Sequence, residues 1–508
     1  MNDMTQTTPN APTLEALAAL SGGTLHNAPD QPLHIEEIAL DSSKIAPGGL
    51  FAALPGTRVH GATFAKQCPA GAIFTDNAGA KILEDQGETR PVLVVEDVRE
   101  VLGDVSAEVY GHPSEHMTLL GVTGTSGKTT VTYMLEKGLE AAGAKVGLIG
   151  TTGTKILGEY VPTSLTTPEA PTLQSLFRRM LQAGVTHVVM EVSSHALMLG
   201  RVSGTSFDVA GFTNLSQDHL DFHKTMEEYF EAKALFFDPT SRSAAKRAVV
   251  CVDDEWGERM ADRAQHPVRV GTHGQAGVDV SAKQLSADKT GAQEISLSTP
   301  TSTHTLTLQM PGAFNVANAA LATAMAYTAD VDVDAFMKGL SKAQVPGRME
   351  RIDCGQPFVA VVDYAHKPAA IAAVLDTLRK QVAGRVGIAV GAGGDRDASK
   401  RVIMGRESAQ RADFVVVTDD NPRTEDPASI RAEVLRGALE LADAPHHPEV
   451  REIGDRAAAI DALVQWAQPG DAVIVVGKGH EVGQIVGTTT HHFDDREEMR
   501  RALETFAR

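Results

Sequence analysis

The chain has 508 residues, of which 42% are hydrophobic and 22% charged, and its formal net charge is −19. This length and composition are typical of a globular protein with about three domains. The acidic excess argues against a nucleic-acid or anionic-membrane surface, because phosphate-rich partners need a positive field. Small phosphorylated substrates stay possible, since backbone amides and a few local lysines can bind them.

The cysteines and the N-terminal segment indicate the compartment. Cys68, Cys251 and Cys354 are far apart and form no CxxC pair, which favours reduced thiols in a cytosolic protein. The N-terminus lacks the basic start and long apolar run of a secretory signal. No apolar stretch approaches the ~20 residues that a membrane helix needs. We therefore expect a cytoplasmic protein that does not insert into membranes.

The pattern of apolar runs predicts three domains. Residues 1–112 contain short mixed elements and end near the polar stretch at 110–116. Residues 113–343 alternate apolar strands with helical stretches, which is typical of a parallel sheet covered by helices. A Pro-Gly break within 341–350 precedes a second such series, residues 344–508. The predicted fold class is α/β, with a central P-loop-type domain and a C-terminal doubly wound domain whose ligands would lie at the carboxyl ends of the strands.

The strongest local motif is GVTGTSGKTT, residues 121–130. An apolar strand precedes it and a helix with one apolar face follows, which is the context of a phosphate-binding loop. Glycines let backbone N–H groups converge on phosphate, while Lys128 can neutralise the β and γ phosphates and the Thr129 hydroxyl can ligate Mg²⁺. The strict motif has glycine where this chain has Val122, so an ordinary glycine-rich turn is the alternative. The absence of an Asn-Lys-x-Asp segment favours ATP over GTP.

The loop GTSGKTT resembles that of the Mur ligases and of the related folylpolyglutamate synthetases. Further segments extend the resemblance in the expected order, from about Asp41 to the C-terminus: EVSSHAL, TNLSQDHLDFH, YFEAKALF, GAFNVANAA, PGRME, DYAHKP, GGDRD, DDNPR and GKGHE. The series is most similar to the Mur ligases that add the third residue of the cell-wall peptide. The resemblance implies that ATP phosphorylates the γ-carboxylate of UDP-N-acetylmuramoyl-L-alanyl-D-glutamate, and that an incoming amine then displaces phosphate.

Candidate metal ligands lie beyond the phosphate loop. Glu191 ends a strand and is a natural Mg²⁺ ligand, with a helix-capping carboxylate as the alternative. His219 and His223 stand four residues apart, as in a helical zinc pair, but no third zinc ligand of the usual kind lies near them in the sequence. The resemblance assigns magnesium to His219 alone and leaves His223 a structural role.

Lys233 falls on a predicted apolar helix face with Tyr229, Ala232, Phe236 and Phe237. A lysine is usually solvated, but apolar surroundings favour the neutral amine, which can react with CO₂ to form a carbamate. The resemblance implies such a carbamate here, whose negative charge would hold magnesium. The candidate catalytic residues are Lys128, Glu191, His219 and Lys233, and the candidate metal ligands are Thr129, Glu191, His219 and carbamylated Lys233.

The resemblance also implies ATP contacts outside the loop. Arg348 lies at the second domain boundary, where it could help the C-terminal domain close over bound substrates, with a surface-paired linker arginine as the alternative. Lys367, in DYAHKP, stands where many relatives carry Thr, and we predict no function for it. The candidate ATP-binding residues are Gly124, Thr125, Ser126, Gly127, Lys128, Thr129, Thr130, Asn318, Arg348, Asp363 and His366.

The DNPR segment at 420–423 resembles the form found in ligases that use meso-diaminopimelate. This amino acid is lysine with a second carboxylate, which Arg423 could bind through two parallel hydrogen bonds, with Arg396 as a second cation. Glu481 would hold the distal ammonium group, whereas L-lysine would place an ammonium opposite Arg423. A turn arginine is the alternative. The residues predicted to bind diaminopimelate are Arg396, Asp420, Asn421, Pro422, Arg423, Gly477 and Glu481.

For the sugar-nucleotide end, the resemblance implies that the N-terminal domain binds UDP, with Ser42 close to the uracil. Two departures occur there: Leu199 stands where relatives often have Gln, and DSS at 41–43 replaces a common DSR. The remaining predicted contacts are Thr166 and Thr167 with the phosphates and sugar, and Ser194 and Arg201 with the muramoyl-peptide.

Two other functions remain possible at this point. One is the same ligation with L-lysine, and the other is a nucleotide-binding scaffold without ligase chemistry. A folylpolyglutamate synthetase fits less well, because the N-terminal domain and the DNPR segment would have no role. The expected cofactors are ATP and Mg²⁺, the expected partners are the two small-molecule substrates, and the chain is expected to be a monomer that binds no nucleic acid.

Overall fold

The computed structural model describes residues 11–163, 165–219, 222–288, 291–440 and 447–506. Within these ranges the chain forms three α/β domains, each built on a sheet of its own, as the sequence predicted. None of the helices in the described ranges is long and apolar enough to cross a membrane. The predicted domain limits, 112/113 and 343/344, fall in connections between the sheets and stay predictions.

The N-terminal domain is a five-stranded sheet with helices on both faces. Its elements are α1 (Leu14–Ser21), β1 (Thr24–His26), β2 (Ile38–Ala39), β3 (Leu50–Ala53), β4 (Ala72–Asp76), α2 (Asn77–Asp85), β5 (Val92–Val95) and α3 (Val98–Tyr110). The strand order is β1-β5-β4-β3-β2, and only β1 runs antiparallel to its neighbour. Helices α1 and α3 contribute to the core on one face and α2 to the core on the other, so strands β3 and β5 are apolar throughout.

The central domain contains an eleven-stranded sheet. Its elements are β6 (Thr118–Thr123), α4 (Lys128–Ala141), β7 (Val146–Gly150), β8 (Gly153–Ile156), β9 (Glu159–Val161), α5 (Ala170–Gln182), β10 (His187–Glu191), α6 (Ser194–Met198), β11 (Val209–Phe212), α7 (Met226–Ala234), β12 (Arg247–Cys251), α8 (Glu255–Arg263), β13 (Val268–Gly271), β14 (Val280–Ala287), β15 (Gln293–Ser298), β16 (Thr303–Leu308), α9 (Ala313–Thr328) and α10 (Val333–Leu340).

The order of this central sheet is β16-β15-β14-β13-β12-β11-β6-β10-β7-β8-β9. The strands from β14 to β7 are parallel, and antiparallel strands extend both ends. Helices α4, α9 and α10 cover one face, while α5 to α8 cover the other. This two-sided cover places β6, with its phosphate loop, in the middle of a rigid layer.

The C-terminal domain has the doubly wound form that the sequence predicted. Its elements are β17 (Glu350–Arg351), β18 (Val359–Asp363), α11 (Pro368–Gln381), β19 (Val386–Val390), α12 (Ser399–Arg411), β20 (Phe414–Val417), α13 (Pro427–Leu439), β21 (Glu449–Glu452), α14 (Arg456–Trp466), β22 (Ala472–Val476), β23 (Val482–Val486), β24 (Thr489–Asp494) and α15 (Asp495–Phe506). The sheet order is β17-β18-β22-β19-β20-β21, and β23 pairs with β24 in a separate hairpin. Helices α11 to α13 pack on one face of the sheet, and α14 and α15 on the other.

Strand ends of two domains face one cavity of about 480 Å³. Residues that follow β6 and β10 line it from the central domain, and residues that follow β18, β19, β20 and β22 line it from the C-terminal domain. Since ligands of open α/β sheets bind beyond the carboxyl ends of the strands, this cavity is the candidate site.

Candidate active site

The phosphate loop connects β6 to α4, in the strand–loop–helix arrangement that the sequence predicted. Gly124 and Gly127 have φ of 141° and 89°, which only glycine adopts readily. A Cβ atom would lie 1.9 Å from Thr213 Oγ1 at Gly124 and 2.4 Å from Asn318 Oδ1 at Gly127. The backbone is therefore held closely on both sides, and Asn318 contacts the loop directly from α9.

Lys128 is folded back onto its own loop. Its Nζ donates to the Gly124 carbonyl at 2.8 Å and to the Thr125 carbonyl at 3.2 Å. Burial, together with the nearby Lys367, lowers the pKa of Lys128 to about 8. A phosphate group that entered the loop would offer this ammonium group a charged acceptor in place of two neutral carbonyls.

Glu191 and Thr129 lie side by side, as a shared magnesium ion would require. The Thr129 hydroxyl donates to Glu191 Oε1 at 2.9 Å, and Thr151 donates to the same carboxylate through its N–H and its hydroxyl. Both carry hard oxygen donors: Glu191 ends β10, Thr129 lies in the first turn of α4, and both are buried. This donor set fits Mg²⁺, which prefers carboxylate and hydroxyl oxygens with room for water and phosphate oxygens.

His219 does not lie on a helix with His223, so the helical zinc pair considered from the spacing is absent from the described residues. His219 has φ of 53° and its Nε2 is 3.1 Å from Asp218 Oδ2, at the edge of the cavity. His223 is buried, and its Nε2 lies 2.9 Å from Ser194 Oγ. The structural role predicted for His223 agrees with this contact, and His219 is the one that faces the cavity.

Lys233 is buried beneath the phosphate loop, with 1% of its surface exposed. Its Nζ donates to the Gly124 carbonyl at 3.1 Å and lies 4.4 Å from the centre of the Tyr229 ring. Helix α7 ends at Ala234, so Phe236 and Phe237 continue the apolar surroundings from the following turn rather than from the helix. Burial, reinforced by Lys128 and Lys367, lowers the pKa of Lys233 well below its usual value. This is the neutral-amine environment that the sequence predicted.

Among the described residues around the phosphate loop, basic side chains outnumber carboxylates. The carboxylates are Glu191 and Asp218, and the basic side chains are Lys128, Lys367, Arg348 and Lys233, whose burial favours the neutral amine. Asp218 was not predicted from the sequence. Although burial alone would raise the pKa of Asp218, Lys367 and His219 lower it. Such a site is prepared for additional negative charge, which a polyphosphate or a carbamate would supply.

The linker before β17 and the turn after β18 both lie against the phosphate loop. Arg348 donates to Thr129 Oγ1 at 3.3 Å and stacks 4.3 Å from the centre of the Tyr364 ring. Asp363 accepts from Met349 N at 2.6 Å and Ala365 N at 2.7 Å, so its carboxylate holds the turn itself. His366 lines the cavity, and burial lowers its pKa to about 3.

The linker into this domain passes close to the GKGHE turn. Gly347 has φ of 62°, and a Cβ atom there would lie 2.1 Å from His480 N and from the Gly479 carbonyl carbon. The residue before Arg348 therefore has no space for a side chain, and the linker is fixed against the segment that carries Glu481.

The DNPR segment follows β20 and faces the same cavity. Arg423 has φ of 51°, and its backbone bonds to the β23 hairpin on both sides, with Ile485 O at 3.0 Å and Gly487 N at 2.7 Å. Its Nη1 donates to Gly394 O at 2.7 Å. Arg396 also lines the cavity and is exposed, whereas Pro422 contributes its backbone to the turn and does not line the cavity among the described residues. Arg423 is thus held in a strained, fixed orientation.

Lys478 organises the amino-acid end of the cavity and was missed by sequence reasoning. It is fully buried, and its Nζ donates to Asn421 Oδ1 at 2.8 Å and to Gly483 O at 2.8 Å, with Asp420 Oδ1 at 3.3 Å. The Asn421 amide must then turn its NH₂ towards Glu481, whose Oε2 lies 3.1 Å away. Burial, with the nearby Asp420, raises the pKa of Glu481. The only sequence signal was a lysine between Gly477 and Glu481, directly after an apolar strand.

Arg456 was also missed, since nothing in its local sequence distinguishes it. It forms a fully buried ion pair with Asp495 at 2.7 Å and donates to Asp419 O at 3.2 Å and Val476 O at 2.9 Å. These two carbonyls immediately precede Asp420 and Gly477. Arg456 therefore joins the two loops that carry the predicted amino-acid contacts.

The predicted muramoyl-peptide contacts cluster near Glu191. Thr166, Thr167 and Arg201 line the cavity, and the Thr167 hydroxyl donates to Glu191 O at 2.9 Å. Arg201 pairs with Glu169 at 2.8 Å. Ser194 is buried beside His223, and Ser42 does not line the cavity among the described residues. The structure thus gathers most of the predicted residues in one place and leaves Ser42 apart from them.

Family models match all three domains. The model described as "Mur ligase family, catalytic domain" matches residues 34–110, "Mur ligase middle domain" matches residues 122–326, and "Mur ligase, glutamate ligase domain" matches residues 347–479.

Two relatives that match nearly the whole chain share one description. A Corynebacterium efficiens protein described as UDP-N-acetylmuramoyl-L-alanyl-D-glutamate--2,6-diaminopimelate ligase is 62% identical over 497 residues, which cover 97% of this chain and 94% of the relative. A Streptomyces avermitilis protein with the same description is 44% identical over 504 residues, with 96% of each chain covered. A solved structure with this description has a TM-score of 0.65 at 32% identity and covers 94% of this chain and 96% of its own. The MurF ligase from Thermotoga maritima in complex with ADP has a TM-score of 0.62 at 20% identity and covers 93% of this chain and 97% of its own, which shows a common fold.

Proposed function

The chain belongs to the Mur ligase family, and on that premise we propose that it joins meso-diaminopimelate to UDP-N-acetylmuramoyl-L-alanyl-D-glutamate in an ATP-dependent step of peptidoglycan precursor synthesis. The observation that carries this proposal is the shared cavity. The phosphate loop lines one end of it and the DNPR segment lines the other, so ATP and the incoming amine can meet at one carboxylate. The description shared by relatives at 62% and 44% identity supports the choice of substrates.

In the first step, ATP phosphorylates the γ-carboxylate of the dipeptide. The loop N–H groups and the N-terminus of α4 bind the phosphates, while Lys128 exchanges its two carbonyl acceptors for phosphate oxygens. Arg348 adds a second cation from the C-terminal domain. The protein contributes position and charge neutralisation, and no side chain needs to form a covalent bond.

Magnesium is proposed to bind at Thr129 and Glu191, with His219 and Lys233 as further ligands. When bound, Mg²⁺ would neutralise phosphate charge during transfer. Lys233 would take part as a carbamate, since its buried amine has a strongly lowered pKa and the loop is surrounded by excess cations. The neutral amine would add to CO₂ and lose a proton, which would place an anionic carbamate beside the phosphates.

In the second step, the diaminopimelate amine attacks the acyl phosphate. Arg423 and Arg396 would bind the distal carboxylate, and Glu481, oriented by Asn421, would accept hydrogen bonds from the distal ammonium group. L-lysine lacks that carboxylate, so it would leave Arg423 without an anion and place its ammonium group near a fixed cation. The N-terminal domain would hold the UDP end, with Ser42 near the uracil. A cytoplasmic, monomeric enzyme also stays a prediction.

The direct test supplies the purified protein with ATP, Mg²⁺ and UDP-N-acetylmuramoyl-L-alanyl-D-glutamate, and then offers diaminopimelate or L-lysine separately. We expect phosphate release and a tripeptide product that depend on diaminopimelate, with much slower turnover of lysine. Equal turnover of both amino acids would refute the assigned role of Arg423. Nucleotide binding without amine-dependent phosphate release would instead favour the scaffold alternative.

A further inference from the structure

Lys367 reaches from the C-terminal domain into the central domain. It lies between the turn after β18 and the first residue of α11, and its side chain is almost fully buried. Its Nζ is 2.7 Å from Asp218 Oδ2 and donates to the Thr125 carbonyl at 3.0 Å. One partner follows β11 and the other belongs to the phosphate loop, so a single side chain connects both with the C-terminal domain.

The pair with Asp218 is buried on both sides, with 11% of the Lys367 side chain and 8% of the Asp218 side chain exposed. Closure removes both groups from water, and each then compensates the charge of the other. Removing one partner of a buried pair is costly, because the remaining charge is uncompensated. Without Lys367, the arrangement observed would bury the Asp218 carboxylate without this ammonium group, so the closed arrangement depends on the contact.

The Thr125 carbonyl has two lysine donors in the closed arrangement. Lys128 donates to it at 3.2 Å and Lys367 at 3.0 Å. When Lys128 turns towards phosphate oxygens, this carbonyl loses one donor and keeps the other only if the C-terminal domain is closed. A polar group left without a partner in a closed site costs free energy, so closure lowers the cost of releasing Lys128.

We propose that Lys367 is a positioning residue that couples closure of the C-terminal domain to nucleotide binding at the phosphate loop. It acts through Asp218 and the Thr125 carbonyl and holds the turn with His366 over the loop. Domain closure and nucleotide binding, which releases Lys128, should favour each other. Closure should therefore raise the affinity for nucleotide by the same factor by which bound nucleotide raises the equilibrium constant for closure. The inference rests on one part of the proposed function, namely that the phosphate loop binds ATP.

The test compares the full-length protein with Lys367→Met, Lys367→Arg, Asp218→Asn and the double variant Lys367→Met with Asp218→Asn. X-ray scattering measures the radius of gyration without ligand, and titration with a non-hydrolysable ATP analogue measures affinity. Lys400→Met is the matched control, since it removes a lysine from the same cavity wall but leaves the contact with Asp218 in place. Thermal unfolding of each variant identifies loss of folding.

We expect Lys367→Met to have a larger radius of gyration and about tenfold weaker analogue binding. Lys367→Arg should have a radius of gyration and an affinity for the analogue close to those of the parent, because it keeps the charge. The affinity of the double variant for the ATP analogue should fall by less than the product of the two single fold-losses, since no buried carboxylate is left unpaired. Lys400→Met should stay as compact as the parent.

A folded Lys367→Met variant that is as compact as the parent would overturn the proposal, as would independent, multiplicative effects of the two single substitutions. Scattering needs neither nucleotide nor turnover. If the parent bound no ATP analogue, the proposed function would fail, while the scattering comparison would still decide whether Lys367 holds the domains together.

Discussion

The two ends of the cavity are built differently. At the phosphate loop, Lys128 rests on backbone carbonyls, which it would exchange for phosphate oxygens under the proposed function. At the end that carries the DNPR segment, Lys478 and Arg456 are buried and bonded to carboxylate and carbonyl oxygens, and Arg423 has a left-handed backbone conformation. Under the proposed function, the difference teaches that the reaction centre keeps groups available for rearrangement, while the selection of the amino acid depends on groups fixed in advance.

The largest effect should come from breaking the fixed end. Arg456→Met leaves Asp495 buried without its partner, so the free energy of unfolding should fall by about 3–5 kcal/mol. Urea denaturation would measure this change in the free energy of unfolding. Arg501→Met is the control, because its pair with Asp461 is partly exposed and should be worth at most about 1 kcal/mol. Equal losses in the two variants would show that the amino-acid end is not held by this pair.

At the other end, Lys233→Ala should leave folding intact and remove activity. Loss of the proposed carbamate should lower kcat by about 100-fold or more, with partial recovery when short carboxylates are added. Steady-state phosphate release measures the fall in kcat and its recovery. Lys224 is exposed, so Lys224→Ala serves as the control. Full activity of Lys233→Ala without CO₂ or added carboxylate would contradict the carbamate.

Gly127→Ala tests how closely the loop is packed. It combines an unfavourable φ of 89° with a Cβ atom 2.4 Å from Asn318 Oδ1, so we expect ATP to bind at least about tenfold more weakly. Gly143→Ala has nearly the same φ, 88°, but no atom within 4 Å of the added Cβ, and so isolates backbone strain from the clash. Calorimetric titration with an ATP analogue would compare them, and similar affinities would rule out the clash as a cause.

The smallest effect should follow Arg423→Lys, which keeps the charge but loses the paired hydrogen bonds. We expect the KM for diaminopimelate to rise by roughly tenfold, with little change in the KM for ATP. Arg436→Lys, on the exposed side of α13, is the control. A parallel rise in both KM values would mean that the two ends of the cavity are not separable.

Much of this molecule could be predicted from local sequence. The alternation of strands and helices predicted three α/β domains, and the apolar face around Lys233 predicted its burial. Asp218, Lys478 and Arg456 could not be found in this way, because their roles depend on partners brought together by the fold. Lys367 was noticed only as a departure, since its partner Asp218 lies in another domain. Charges that act through distant partners leave no periodic signal in the chain.

The crowding at Gly347 has a consequence for evolution and engineering. The linker at Gly347 touches the turn that precedes Glu481, so the proposed contact with the distal ammonium group and the proposed closure of the C-terminal domain depend on one packed surface. A loop exchange intended to redirect substrate choice would change the pivot as well, unless the linker were transplanted with it. If both proposed roles hold, selectivity and domain closure are inherited together.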